Sequence, residues 1–508
     1  MTESQYFTNT SKNVFCLVNL PEVVKGALFS RYSRSPKSLR AILSEEFLGN
    51  PDFSSRIDEK KAEEFYDRVL LGYGDDSVAE LGGAHLAIEG ISNIATKFIE
   101  DSRIGISFLE KSTRYVRFDD KINGNYQYLR EPDIMSSRHA DWYVETCELL
   151  FGTYSALMDP VMKFIEERNP RGEESERAYK SAIRAKACDA LRGLLPASVT
   201  TNLGMYGNGR AFEYLITKMA SSNLAEVRSL SAEMSEELSK VIPSFVKRAG
   251  SEHGKELQRY LAESRKSMEA LSVMGKTDAM TVELIDNSGE DKAIAAMIYP
   301  FSNVPFSALL ENVRKMPPAQ KAKIAYEYMG KRANRRHKPG RALENVHYTF
   351  DILANYAAFR DIHRHRMLTQ ERQSLSTNHG YDTPKELFDA GLAEKFIECM
   401  IVAKDAFGRM KGMEKQAQYI VLMAYRMRWY MTLNLREIYF LSELRSSMQG
   451  HPDYRKIAQS IYAIAKEKSP ILGAYMKFVD MNDYSLERLE AEKKADKKIQ
   501  ERNSSSVR

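Results

Sequence analysis

Arg364-His365-Arg366, separated from Ser374 by seven residues, is the stretch best equipped for chemistry. Two guanidiniums flanking an imidazole repel one another, and a fold keeps them together when something anionic and planar lies beside them. Guanidinium forks match phosphate oxygens and stack on flat ring systems. The cluster follows an apolar run over 350–359 that reads as helix, so it is expected at a helix end. Basic side chains there also complement the negative end of the helix dipole, and that simpler role stays open. Asn208-Gly209-Arg210 and Asn434-Leu435-Arg436 each stand directly before an amphipathic stretch. Asparagine caps helices, so either one could be a cap alone.

The elements that must position these residues are mostly helical. Apolar periodicity predicts helices over 137–168, 174–194, 210–241, 252–273, 385–410, 412–429 and 453–467. Strand signals lie at 14–18, 126–130 and 280–285. The expected class is α+β: two homologous helix-rich domains, each with a small, mostly antiparallel sheet. With 508 residues, 43% hydrophobic and 28% charged, the chain has the make-up of a soluble globular protein. A net charge of +5 suits small anions and does not call for nucleic acid. No apolar run reaches membrane-spanning length, and the polar start has no signal-like pattern, so a cytoplasmic protein is expected. Cys16, Cys147, Cys188 and Cys399 are scattered and form no metal-type pair.

An internal repeat organises the chain. Ser77-Val78-Ala79-Glu80 precedes one apolar run and Arg341-Ala342-Leu343-Glu344 another; each half then runs through long helices to its Asn-x-Arg. The expected domains are 1–248 and 279–486, joined by a helical connector over 249–278. The charged tail, 487–508, reads as a solvated, fraying helix.

On these motifs the chain resembles a tandem duplication of the flavin-dependent thymidylate synthase family. The family's Arg-His-Arg, seven residues, Ser stands at Arg364 to Ser374. Its Ser-x-Asn-Glu-x-Ser-x-Arg-Tyr stands in the other half as Ser107 to Tyr115, with Leu109 in place of Asn. Its Arg-x-x-Leu-Pro, sixteen residues before Asn-x-Arg, is kept at Arg192 and lost at Gln418. Its arginine eleven residues after that Asn is Arg445 in the second half and Met219 in the first. In the first half the cationic cluster has become Glu100-Asp101-Ser102 or Ser102-Arg103-Ile104, depending on where a two-residue insertion falls. In the second half Arg372 and Ser376 stand where the family has Glu and Arg.

The resemblance implies reductive methylation of dUMP, with methylenetetrahydrofolate as carbon donor and NADPH as reductant through FAD. It implies that each half has specialised, so that one composite site needs both. Substrate contacts would come from Glu110, Ser112, Thr113, Arg114, Arg192 and Arg364. Arg364, His365, Arg366, Asn434, Arg436, Arg341 and Glu110 would face the cofactor. Arg445 would polarise the uracil, since a guanidinium stays charged while negative charge develops on the ring. The family is tetrameric, so a duplicated chain is expected as a homodimer, with no nucleic-acid or membrane partner. A non-catalytic flavin- or nucleotide-binding protein on the same scaffold is the alternative.

Overall fold

The computed structural model describes residues 5–47, 76–273, 275 and 282–505. They fall into two compact units. One draws on Met1–Lys111, Glu131–Asp133 and Thr200–Met274; the other on Ser112–Arg130, Ile134–Val199 and Gly275–Arg508. Among the described residues, no helix is long and apolar enough to cross a membrane.

The first unit is built on an antiparallel sheet of β1 (Gly83–Ser92), β2 (Ile106–Glu110) and β3 (Thr200–Asn208), with β3 in the middle. β3 alternates exposed and buried residues, so Leu203 and Met205 reach the core. Ser92 starts the helix Asn93–Glu100 by accepting the Ala95 N–H at 3.0 Å. Asn208 starts Gly209–Ala220 by accepting that of Ala211 at 2.9 Å. The helix Glu252–Ala270 follows, with Gly254 as its only buried residue.

The second unit repeats this order on four antiparallel strands. β4 (Val282–Asn287) is an edge, followed across the sheet by β5 (His347–Asn355), β7 (Arg426–Asn434) and β6 (Leu368–Arg372). Asn355 caps the helix Tyr356–Ile362 through the Ala358 N–H at 2.8 Å, and Asn434 caps Leu435–Arg445 through that of Glu437 at 2.9 Å. Trp429 on β7 meets Phe359 edge-on at 5.2 Å between ring centres. Such a pair adds about 0.5–1.5 kcal/mol beyond its buried area and seats the short helix on the sheet.

The apolar run 350–359 is therefore not one helix. It is the end of β5 followed by Tyr356–Ile362. β5 alternates over its first half, but 352–355 are all buried, and a stretch covered on both faces loses the alternation that marks a strand. The stretch 412–429, expected as helix, is a single turn at Glu414–Ala417, a 3-10 turn at Gln418–Ile420 and the start of β7. Its Met and Arg content favours helix, but Met427, Trp429 and Met431 alternate into the core. Of the three strand signals, 14–18 and 126–130 form only isolated bridges, Phe7 with Leu17 and Tyr128 with Val199. The third becomes β4 from Val282 onward; its residues 280 and 281 lie outside the described ones. The remaining helices hold, with 210–241 divided into Gly209–Ala220 and Ala225–Ser239 and 385–410 into Lys385–Asp389 and Ala393–Arg409.

Within the second unit, corresponding segments of the two copies clasp each other. Ala197 donates to the Val421 carbonyl (2.8 Å), Met423 to that of Leu195 (2.9 Å) and Ala424 to that of Gly193 (3.0 Å). A Cβ on Gly193 would sit 3.0 Å from that of Ala424, so glycine permits the approach. This clasp fixes Arg192, one residue upstream.

Candidate active site

A cleft of about 420 Å³ opens beside the cationic cluster in the second unit. Its walls are the turn Arg364–Met367, one side of the helix Leu435–Arg445 from Arg436 to Arg445 and the basic loop around Arg335 and Lys338. The carboxylates in the wall are each engaged. Glu443 forks onto Arg332 (2.6 and 3.0 Å), and Glu437 faces His365 Nδ1 at 2.6 Å. Arg436 donates to Glu344 and to the Pro339 carbonyl, both at 2.9 Å. The surplus positive charge and the ring of Phe440 in the wall have the chemistry to receive an anion with a flat ring system.

His365 has both ring nitrogens engaged. Arg445 Nε donates to its Nε2 at 3.0 Å, which leaves the proton on Nδ1, facing Glu437. His365 is buried, so this Glu437–His365–Arg445 chain holds the guanidinium in one orientation. Burial pushes Arg445 below its ordinary pKa; Tyr454 and Asp361 resist, while Arg364 and Arg114 add to the effect. It remains a cation at neutral pH.

Arg445 joins a buried network in the same unit. Arg192 donates to Asp361 at 2.8 Å, bringing the Arg-x-x-Leu-Pro residue of one half against the helix that leads to the cationic cluster of the other. Arg192 is 2% exposed, and its Nε and Nη2 have no partner among the described residues. Arg114 forks onto Asp189 (2.8 and 2.6 Å) and reaches the Tyr454 hydroxyl at 3.0 Å. Burial alone would raise both aspartates, yet Arg114 holds Asp189, and Arg192 with Arg114 holds Asp361, well below the usual carboxylate range. Burial and Arg192 press His451 below its ordinary value. Its Nδ1 accepts the Asp453 N–H at 3.2 Å, so the proton sits on Nε2, facing the Asp189 carbonyl at 3.4 Å.

The other expected residues fall into place unevenly. Thr113 is buried and accepts from Arg360 at 3.1 Å, and the Ser112 hydroxyl accepts the Arg114 N–H at 3.2 Å. Arg366 lines the cleft and is exposed. Arg341 does not line it; its exposed side chain pairs with Glu344 at 3.1 Å. The Asn434 side chain is spent as a cap. Glu110 belongs to the first unit, where Lys97 holds it at 2.8 Å and Glu100 at 2.5 Å. Asp189, Arg360, Asp361, Glu437 and His451 were not foreseen. Asp361 stands just ahead of the cationic cluster and was hidden by the reading of 350–359 as uniform apolar helix.

The first unit has a counterpart cavity of about 680 Å³ at the same place in its fold, beside Asn208, Arg210 and Gly105. Its guanidiniums are matched by carboxylates: Arg210 with Glu80 at 2.7 Å and Arg248 with Glu213 at 2.9 Å. The register settles the two-residue insertion. One extra residue is absorbed in the β1 bulge between Ile88 and Ile91, and the other lies between Ser92 and β2. Counted from either side, Arg103 is the only cation left in the lost cluster.

The sequence model of the family described as "thymidylate synthase complementing protein" matches residues 31–244 and again 283–471. A UPF0159 protein of Chlamydia pneumoniae is 44% identical over 96% of each chain. One from Thermoplasma acidophilum is 36% identical over 92% of this chain and 97% of its own. A solved UMP/dUMP methylase PolB of Streptomyces cacaoi covers 40% of this chain and 96% of its own, at 16% identity and a TM-score of 0.33, too slight a likeness to carry an argument.

Proposed function

This chain belongs to the thymidylate synthase complementing protein family, in a form that carries the family's sequence twice, and on that premise we propose that it converts dUMP to dTMP. The carbon comes from methylenetetrahydrofolate and the electrons from NADPH by way of FAD. The carrying observation is the 2.8 Å pair between Arg192 and Asp361, which joins the first matched span to the second inside one compact unit beside Arg445. Residues that each copy lacks are supplied by the other.

Arg192, with two guanidinium nitrogens unpartnered among the described residues, is the donor set for the nucleotide phosphate. Arg114, locked onto Asp189, shapes that pocket and adds positive field. Arg445, held by His365, faces the pyrimidine edge and stabilises the charge that develops when C5 becomes nucleophilic. It gives up no proton, so its role survives across neutral pH.

The cleft fits a flavin dinucleotide in its chemistry. Arg364, Arg366 and Arg436 offer forked donors for a diphosphate, and Phe440 offers a ring face. FAD bound there would supply hydride transfer, and the protein contributes position and field. Cys147 and Cys188 are not candidates for a nucleophile, because burial pushes their thiols up to about 12 and about 11. A homodimer completes the proposal, four family copies in two chains.

The test is direct. Purified protein should carry a yellow flavin spectrum, and the gene should rescue a thymidine-requiring strain. Colourless protein without rescue ends the proposal. The non-catalytic alternative draws on the first unit's carboxylate-matched cavity, and it predicts bound flavin without rescue.

A further inference from the structure

Arg488 lies beyond both spans matched to the family, which end at residue 471, yet it is buried beside the nucleotide-side residues. The tail is not simply solvated. Its helix Leu489–Ser505 packs along Glu176–Leu191, the helix that carries Asp189 and leads into Arg192. Ser175 bonds to Asp496, and Arg177 and Lys493 reach Asp496 and Glu174 at 3.6 and 3.8 Å. At the root of this helix buried Glu487 pairs with the mostly covered Lys186 at 2.7 Å. That anchor turns Arg488 inward, where it is 4% exposed.

There it lies 3.6 Å from the Tyr115 ring centre, and its Nη1 donates to the Arg114 carbonyl at 3.3 Å. Among the described residues no carboxylate pairs with it, and its Nε is buried without a partner. The nearest negative charge acting on it, Asp189, is already forked by Arg114, a second cation, and a buried guanidinium with no carboxylate of its own is costly. Both Arg114 and Tyr115 belong to the turn that carries Ser112 and Thr113. An unbalanced charge at that turn calls for an anion.

We propose that Arg488 is a further binding residue for the 5′-phosphate of the nucleotide substrate, delivered by the C-terminal segment. The assignment rests on the dUMP reading above. It makes the C-terminal helix part of the site, since that helix holds Arg488 in place.

Titration calorimetry of the full chain with dUMP and with deoxyuridine tests it. Arg488→Ala should weaken dUMP binding about ten- to a hundredfold, the range of a charge-assisted hydrogen bond. Deoxyuridine, which lacks the phosphate, should bind the variant and the wild type alike. Arg488→Lys should recover part of the loss. Unchanged dUMP affinity in folded Arg488→Ala, or equal losses for both ligands, overturns the assignment. If the alanine variant does not fold, Arg488→Gln keeps a donor for the Arg114 carbonyl and removes only the charge, with the same outcomes. A wild-type chain that binds no dUMP defeats the functional reading instead. Inorganic phosphate then serves as the probe: thermal stabilisation lost in Arg488→Gln supports the anion site, and stabilisation retained overturns it.

Discussion

The cleft beside Arg364 and the cavity beside Arg210 occupy the same place in two copies of one fold, and charge separates them more than shape does. Each is framed by an Asn-capped helix leaving the middle of a sheet, at Asn434 and at Asn208. The first unit's cavity is the larger, 680 against 420 Å³. Yet its two arginines are balanced by Glu80 and Glu213, whereas the cleft gathers Arg335, Lys338, Arg364, Arg366, Arg436 and Arg445 around carboxylates already engaged. The frame is common to both, while the surplus of positive charge lies in one copy. Met219 shows how completely: it stands where Arg445 stands in the other copy and is fully buried in the core.

The largest effect should come from Arg445. Arg445→Ala removes the proposed ring-polarising cation and should lower kcat about 10²–10³-fold, the usual loss for a charge-stabilising donor. Steady-state rates with saturating dUMP read it, and full activity would break the contrast between the two pockets. The converse change, Met219→Arg, should restore nothing. It places a charge in the apolar core of the first unit and should lower the melting temperature.

Next comes the chain that aims Arg445. Glu437→Gln keeps the shape and removes the charge that fixes the His365 tautomer. A loss of roughly ten- to a hundredfold in kcat is expected, as when the partner that orients a working group is removed. The corresponding residue in the first copy is Ala211, so this chain has no equivalent there. Equal kcat in variant and wild type would mean that Arg445 is held by packing alone.

Much of this contrast was legible in the residues. The complementary losses, Gln418 against Arg192 and Met219 against Arg445, are the basis on which we propose that the halves share one site. The two Asn caps were likewise readable, because capping is local chemistry. The inner strands were not. β5 ends in a run buried on both faces and β7 is rich in helix-favouring Met and Arg, so tertiary burial overrode local preference. The buried acids, Asp189 and Asp361, carry no motif; their role appears only when distant arginines fold against them. Arg488 was hidden differently, inside a charged tail whose pattern suggested solvent.

A smaller effect, on stability, separates the units by pH. His451 is pressed below its ordinary pKa by burial and Arg192, with Arg114 adding to this and Asp453 and Asp189 opposing. The unfolded chain, titrating near 6.5, therefore binds more protons in mildly acidic solution than the folded one. The His451 contribution is fully present above about pH 6.5 and is lost as pH falls through the folded value. Asp189 and Asp361 stay ionised throughout this window. Melting temperatures at pH 7.5 and 5.5 should show a larger acid loss in wild type than in His451→Gln. Identical slopes would mean that burial does not hold this imidazole neutral.

The smallest effect is expected where the first unit's cavity is disturbed. Arg210 and Glu80 are each about half exposed, at 51% and 50% of their side-chain surface. Such a pair contributes roughly 0–1 kcal/mol, because water screens it and two long side chains must be ordered to make it. Arg210→Ala should leave kcat, dUMP affinity and flavin content unchanged, while Arg436→Ala, at the matching place in the cleft, should lower flavin content. Measuring retained flavin by absorbance in both variants compares the copies position for position. Flavin lost from Arg210→Ala as well would show that the first cavity still takes part in cofactor binding, and the division of labour between the copies would have to be withdrawn.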